Sequence, residues 1–451
     1  MSDPVRLARA AHNILTRSLG LRRDQNLLIF ADASSLEVIE VIARAARDLG
    51  IATSTLFVPR VLQSDTRAAE SLPLPVEAAI RESDAVLSCL SDRPEHLDYR
   101  MRLLASSWSR RTKLAHAPGM TLEILTAADT DYDAIGERAG LLSAVLVLGT
   151  RLDLVTEDCR GHEYRLAVAI GGWNHPPGIS DGVIRDGTWD NLPPGEVYVV
   201  PRDGEGQIAI NGSLPGKLLA QGEDLILTFR AGRLVEMGPE NGPAARHLRA
   251  TQIAYAERRG DPNWPNLAEI GFGLNPAIHE LAGVELVDGK KAHTLHVGLG
   301  HSASLGGVIE SVIHCDMIVK RPTVYVNGHL IMKRGDWRVN ESDWRLDHRT
   351  AAVPNGWWEG IAQVRRSGIR TARDASRLVC VWNAGRGRWD QMPVGNEATA
   401  RLAARVYDLL PENGGAMSKD DVLALAARAG APPSIVPALL WVMHRYDLVR
   451  F

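Results

Sequence analysis

The chain is 451 residues long, 45% apolar and 23% charged, with a formal net charge of −3. Such a length is too great for one ordinary core and suits two or three domains, and the composition is that of a folded soluble protein. Because acids and bases nearly balance, no global basic field recruits nucleic acid or an anionic membrane, and neither is expected as a partner.

The first segment, MSDPVRLARAAHNILTRSLG, carries Leu7, Ala11, Ile14, Leu15 and Leu19 on one face and reads as an amphipathic helix. It lacks the unbroken apolar stretch of a signal peptide, and no later segment reads as a bilayer span. Cys89, Cys159, Cys315 and Cys380 lie far apart with no CxxC. That speaks against a disulfide framework or a zinc ribbon and for a reducing cytoplasm.

Residues 1–150 alternate strand-like and helix-like patterns. NLLIFAD (26–32) is a short apolar run, a helix follows over Leu36–Leu49, and ATSTLFVP, AVLSCL and TKLAHAP repeat the theme. The alternation predicts an α/β open-sheet domain. Its first loop, ADASS, has no glycine fingerprint, so a dinucleotide site is not expected. Residues 151–340 change character: strand-like runs such as YRLAVAI, GEVYVVP, GQIAING and VIHCDMIV crowd together, and Pro239–Arg259 is the clearest helix. This predicts an α+β, mainly antiparallel domain, with hairpins at DLILTF–RAGR–LVEM and PTVYV–NG–HLIMK. Residues 341–451 form a C-terminal extension. It opens on a Trp-rich stretch, and from about 377 its order of hairpin and helices is winged-helix-like.

The chemistry concentrates in GGVIESVIHCDMIV (306–319). On an extended strand, residues two apart share a face, so His314 and Asp316 project together while Cys315 points away. An imidazole beside a carboxylate on a rigid strand suits a borderline divalent metal such as zinc, manganese, cobalt or iron. His296 lies eighteen residues earlier in LHVGLG, Glu269 sits in LAEIGFGLNP, and Glu196 opens the apolar run EVYVVP. Taken singly, each has a plain structural reading: a surface pair, a satisfied core histidine, a strand-edge carboxylate. Burying several carboxylates in apolar strands is costly unless cations offset their charge, so the five together favour a metal centre.

GTWDNLPPGEVYVVPRDGEGQIAINGS, LAEIGFGLN, LHVGLG and ESVIHCDMI, in this order, resemble the thermophilic-type aminopeptidases of the aminopeptidase T/aminopeptidase S family over roughly residues 1–335. The resemblance implies a two-metal exopeptidase site with Glu196, Glu269, His296, His314 and Asp316 as ligands. It implies zinc, manganese or cobalt as the ions, a peptide or small-molecule substrate, and a homodimer. The family carries a metal-proximal tyrosine seven residues after the histidine matching His296, and this chain has Ala303 there, flanked by His301, Ser302 and Ser304. His301 is the candidate to replace that tyrosine in stabilising an oxyanion. Glu196 or Glu269 is the candidate general base for a metal-activated water.

A second branch of the same superfamily, the 2,5-dihydroxypyridine dioxygenases, uses one iron held by two histidines and an aspartate. His296, His314 and Asp316 supply such a set, so one Fe(II) and ring-cleaving oxygenase chemistry is the alternative expectation. A catalytically inactive, peptide-binding scaffold is the third. The tail holds about as many acids as bases and no basic recognition helix, which argues against DNA as its ligand.

Overall fold

The computed structural model describes residues 3–59, 72–93, 96–108, 112–171 and 177–339, together with short stretches between 363 and 450. The opening amphipathic segment is the helix Pro4–Asn13, continued by a wider turn over Ile14–Ser18. Leu7, Ala11, Ile14, Leu15 and Leu19 are all buried. Asp3 caps this helix by accepting from Val5 N, and Pro4 occupies its first turn, where no N–H donor is needed.

A parallel sheet follows, built from β1 (Asn26–Ala31), β2 (Ala52–Phe57), β3 (Ala85–Cys89) and β4 (Lys113–His116) in the order β2-β1-β3-β4. The runs read as strands are strands, and the helix Leu36–Leu49 crosses between β1 and β2. Its C-cap is Gly50 at φ 73°, a left-handed conformation that glycine adopts without a side-chain penalty.

The following strands are β5 (Arg151–Glu157), β6 (Glu163–Ala169), β7 (Gly178–Ser180), β8 (Trp189–Asn191), β9 (Glu196–Val199) and β10 (Asp203–Ile210). After them come β11 (Ser213–Leu214), β12 (Lys217–Leu218), β13 (Leu225–Arg230), β14 (Arg233–Gly238), β15 (Leu267–Gly273), β16 (Thr294–Gly300) and β17 (His314–Lys320). The series ends with β18 (Thr323–Val326), β19 (His329–Lys333) and β20 (Asp336–Trp337). Eight of them form an antiparallel sheet, β14-β13-β10-β6-β5-β18-β19-β20, and five form a second one, β17-β16-β15-β9-β7. Both expected hairpins are present, β13–β14 and β18–β19, and Asn327 and Gly328 take positive φ in the second turn, as a tight hairpin requires. The three-residue β8 returns to the first sheet and extends it in parallel beside β4, so the chain crosses position 150 and comes back.

Between the two antiparallel sheets lies a large apolar core. From the five-stranded sheet it takes Val197 and Val199, Ile270 and Phe272, Leu295, Val297 and Leu299, and Cys315, Met317 and Val319. On each strand these residues alternate with the ligand candidates, so one face of the sheet is core and the other carries the chemistry. Cys315 is fully buried on the core side, as its place between His314 and Asp316 requires. No described helix is long and apolar enough to cross a membrane.

In the extension, Leu378–Asn383 pairs antiparallel with Arg388–Pro393, and Lys419–Arg428 is helical within the expected span 418–429. The short closing strand is present at Val449–Arg450, pairing antiparallel with Gln363–Arg366, and the helices expected at 397–410 and 432–446 lie largely outside the described residues.

Candidate metal centre

All five expected ligands stand on the open face of the five-stranded sheet, on four adjacent strands: Glu196 on β9, Glu269 on β15, His296 on β16, and His314 and Asp316 on β17. The register shows why they meet. Glu196 pairs with Gly273, His296 with Gly271, Glu269 and Asp316 with Gly298, and His314 with Gly300. A side chain at Gly271 or Gly298 would occupy the space the candidate ligands use, whereas one at Gly273 or Gly300 would meet the main chain of Lys291 or Ile313. A Cβ on Gly271 would collide with the imidazole of His296, and one on Gly298 would come within 2.9 Å of both Glu269 Cβ and Asp316 Oδ1. We predict that Gly271→Ala keeps the secondary structure, checked by circular dichroism, but displaces His296 and lowers the number of bound ions per chain. Unchanged metal content would contradict this.

The donor atoms fall into two compact groups that share one residue: Glu196, Glu269 and His296, then Glu269, His314 and Asp316. Glu269 Oε1 lies 3.3 Å from His296 Nε2, and Glu269 Oε2 lies 3.1 Å from His314 Nε2. Glu196 Oε1 is 2.8 Å from His296 Nε2, and Asp316 Oδ1 is 3.3 Å from His314 Nε2. His314 Nδ1 donates to the main-chain carbonyl of His301 at 2.8 Å, which fixes the ring and turns Nε2 toward the carboxylates. Asp316 Oδ1 is buried with no hydrogen-bond partner, although a buried carboxylate oxygen ordinarily has one. Three carboxylates, two imidazoles facing them through Nε2 and an orphaned oxygen fit divalent cations.

The electrostatics agree. Burial opposes the charged form of both histidines, yet Asp316 and the other carboxylates outweigh it and raise His296 and His314 well above the ordinary imidazole range. Burial likewise opposes ionisation of Glu196, but Lys290 and His296 overcome it and hold the carboxyl at about 2. Asp316 is lowered by His314 and His296 against the same burial.

Two buried groups that sequence reasoning missed complete the centre. Lys290 Nζ donates to Glu196 Oε2 at 2.6 Å, with both side chains almost wholly buried. Glu285 Oε1 accepts the main-chain N–H of Asp316 at 2.7 Å, and burial together with the charge of Asp316 pushes its carboxyl up to about 8. His301 Nε2 accepts from Ser304 N at 3.0 Å, and its Nδ1 faces Ser311 N at 3.5 Å. A neutral imidazole keeps one N–H, so only one of these nitrogens accepts, and the shorter contact assigns that role to Nε2 and the proton to Nδ1.

The ligands open onto a cavity of about 760 Å³ whose far wall comes from the first sheet and its helix Leu97–Trp108, including Met101, His116 and Trp189. The fold and site thus define an α/β protein with an added antiparallel sheet that carries a carboxylate–histidine centre at the edge of a cavity.

No family model matches the chain, and no curated protein matches it. Among solved structures, a 2,5-dihydroxypyridine dioxygenase from Pseudomonas putida is similar with a TM-score of 0.58 and 17% identity, over 76% of this chain and 99% of that one. Wild-type AmpT from Thermus thermophilus is similar with a TM-score of 0.51 and 18% identity, over 74% of this chain and 99% of that one. At these identities the likeness shows a common fold. Both comparison proteins are enzymes, an aminopeptidase T and a dioxygenase.

Proposed function

We propose that the chain is a metal-dependent hydrolase of amide or peptide bonds, with Glu196, Glu269, His296, His314 and Asp316 holding two divalent ions such as zinc, manganese or cobalt. The observation that carries this reading is the carboxylate of Glu269, which offers one oxygen to the His296 group and the other to the His314 group. Ions held there would supply an activated water and polarise the scissile carbonyl. Within the chain, Lys290 anchors one oxygen of Glu196 and leaves the other facing His296. The main-chain carbonyl of His301 orients His314, and the ring of His301, which keeps one N–H, stays the candidate oxyanion donor. Glu196 and Glu269 are the candidate bases for the activated water. A peptide substrate and a homodimer, both implied by the aminopeptidase resemblance, belong to the same reading.

An iron oxygenase would use His296, His314 and Asp316 on one ion. The geometry supports this less, since each compact donor group contains a single histidine and the two groups join through Glu269. Metal analysis of protein purified without added metals separates the readings. About two zinc, manganese or cobalt ions per chain and cleavage of aminoacyl amides support the hydrolase. One ferrous ion with oxygen uptake supports the oxygenase, and no metal with unchanged stability after His314→Ala points to a binding scaffold.

The raised histidines add a signed expectation. His296 and His314 are protonated in the metal-free protein at neutral pH, so metal binding must expel those protons. Calorimetry in buffers of different ionisation enthalpy is expected to show release of about two protons at pH 7, with apparent affinity falling as the pH is lowered. Binding without proton release would contradict the ligand assignment.

A further inference from the structure

The far wall of the cavity holds two polar atoms with nothing to bind. His116 closes β4 and Asn191 closes β8, directly across the parallel ladder from each other, and Trp189 lies two residues before Asn191 on the same face. His116 is 6% exposed, and its Nδ1 lies 2.8 Å from Asn191 Oδ1. Since a carbonyl oxygen only accepts, Nδ1 carries the proton and Nε2 keeps its lone pair. Burial, then the charge of Arg100, push this imidazole down to about 3, so the ring is neutral across the physiological range. Nε2 of His116 and Nε1 of Trp189 are both buried and neither has a hydrogen-bond partner among the described residues. The two rings stand edge to face at 84°, with centroids 6.0 Å apart, and do not hydrogen-bond each other. Both line the cavity that reaches the metal ligands.

Two orphaned groups side by side, one a donor and one an acceptor, destabilise the empty protein by about 1–3 kcal/mol each unless a ligand satisfies them. The position of His116 also suits a ligand, because open α/β sheets bind ligands at the carboxyl ends of their strands, where β4 ends here.

Resting on the hydrolase reading above, we propose that His116 and Trp189 form a recognition subsite for an uncharged amide group of the substrate, remote from the bond that is cleaved. Trp189 Nε1–H donates to the amide oxygen, and His116 Nε2 accepts from the amide N–H. A carboxylate has no proton for His116, and an ammonium has no lone pair for Trp189. The subsite therefore selects substrates that carry a second, neutral amide beyond the scissile one.

The test compares alanyl-alaninamide, which has that second amide, with alanyl-p-nitroanilide, which lacks it. Trp189→Phe keeps an aromatic ring and removes the N–H, together with part of the indole that packs against the first sheet, so it is read by substrate selectivity and binding rather than by stability. In both Trp189→Phe and His116→Phe, KM for the dipeptide amide should rise roughly 3- to 10-fold with kcat little altered, while the anilide is unaffected. Equal effects on both substrates would overturn the subsite. Titration calorimetry of alanyl-alaninamide against each protein keeps the two readings apart. If the wild type binds it without cleaving it and Trp189→Phe weakens that binding, the hydrolase reading falls and the subsite stands. If the wild type cleaves the anilide but the variants bind the dipeptide amide as tightly as it does, the subsite falls alone.

Discussion

Replacing Glu269 by alanine is expected to abolish turnover, with kcat/KM falling by on the order of 10³ or more, equivalent to about 4 kcal/mol of transition-state stabilisation. The size of the effect follows from its place. Glu269 belongs to both donor groups, so the substitution leaves each with one histidine and one carboxylate. Loss of any other ligand spares one group: His296→Ala leaves Glu269, His314 and Asp316 together, and that variant should still bind one ion. Metal analysis alongside kinetics distinguishes the two outcomes, since Glu269→Ala should lose both ions and His296→Ala only one. Full turnover in Glu269→Ala would remove the two-ion arrangement from consideration.

The second large effect is expected at Lys290. Its ammonium and the Glu196 carboxylate are buried together at 2.6 Å, and removing the ammonium leaves that buried charge balanced by His296 alone, at 2.8 Å. Lys290→Met should therefore destabilise the metal-free protein, by up to about 3–5 kcal/mol. Lys290→Met combined with Glu196→Gln should recover much of that loss, because the buried carboxylate no longer carries a charge and His296 keeps Glu269 beside it. Added metal should rescue the single variant more than the wild type, since a cation beside Glu196 replaces the one taken away. Denaturant unfolding of the three proteins with and without metal measures all three effects. A single variant as stable as the wild type would show that the ion pair carries no such charge balance.

Part of the candidate ligand set was legible because strands have a period of two, and Glu196, Glu269 and His296 joined it through the aminopeptidase resemblance. His314 and Asp316 had to share a face, and the glycines of LAEIGFG and LHVGLG, spaced by two from Glu269 and His296, keep that face clear on β15 and β16. Lys290 and Glu285 escaped notice for a physical reason. They lie on the segment between β15 and β16, outside any strand period, and only tertiary folding brings Lys290 to a carboxylate 94 positions away. Likewise β8 is three residues between turns, too short to show a period, so neither its return to the first sheet nor the placing of Trp189 beside His116 was foreseeable. His301 was correctly placed beside the centre by its spacing from His296, but its hydrogen bonds depend on how the loop 301–311 folds back on itself.

The most direct test of the central claim is anomalous diffraction from crystals of the metal-loaded protein. The account predicts two divalent ions per chain, each at about 2.0–2.2 Å from its ligands. One should lie among Glu196, Glu269 and His296, and the other among Glu269, His314 and Asp316. A single ion bound by His296, His314 and Asp316, with Glu269 turned away from it, would contradict it.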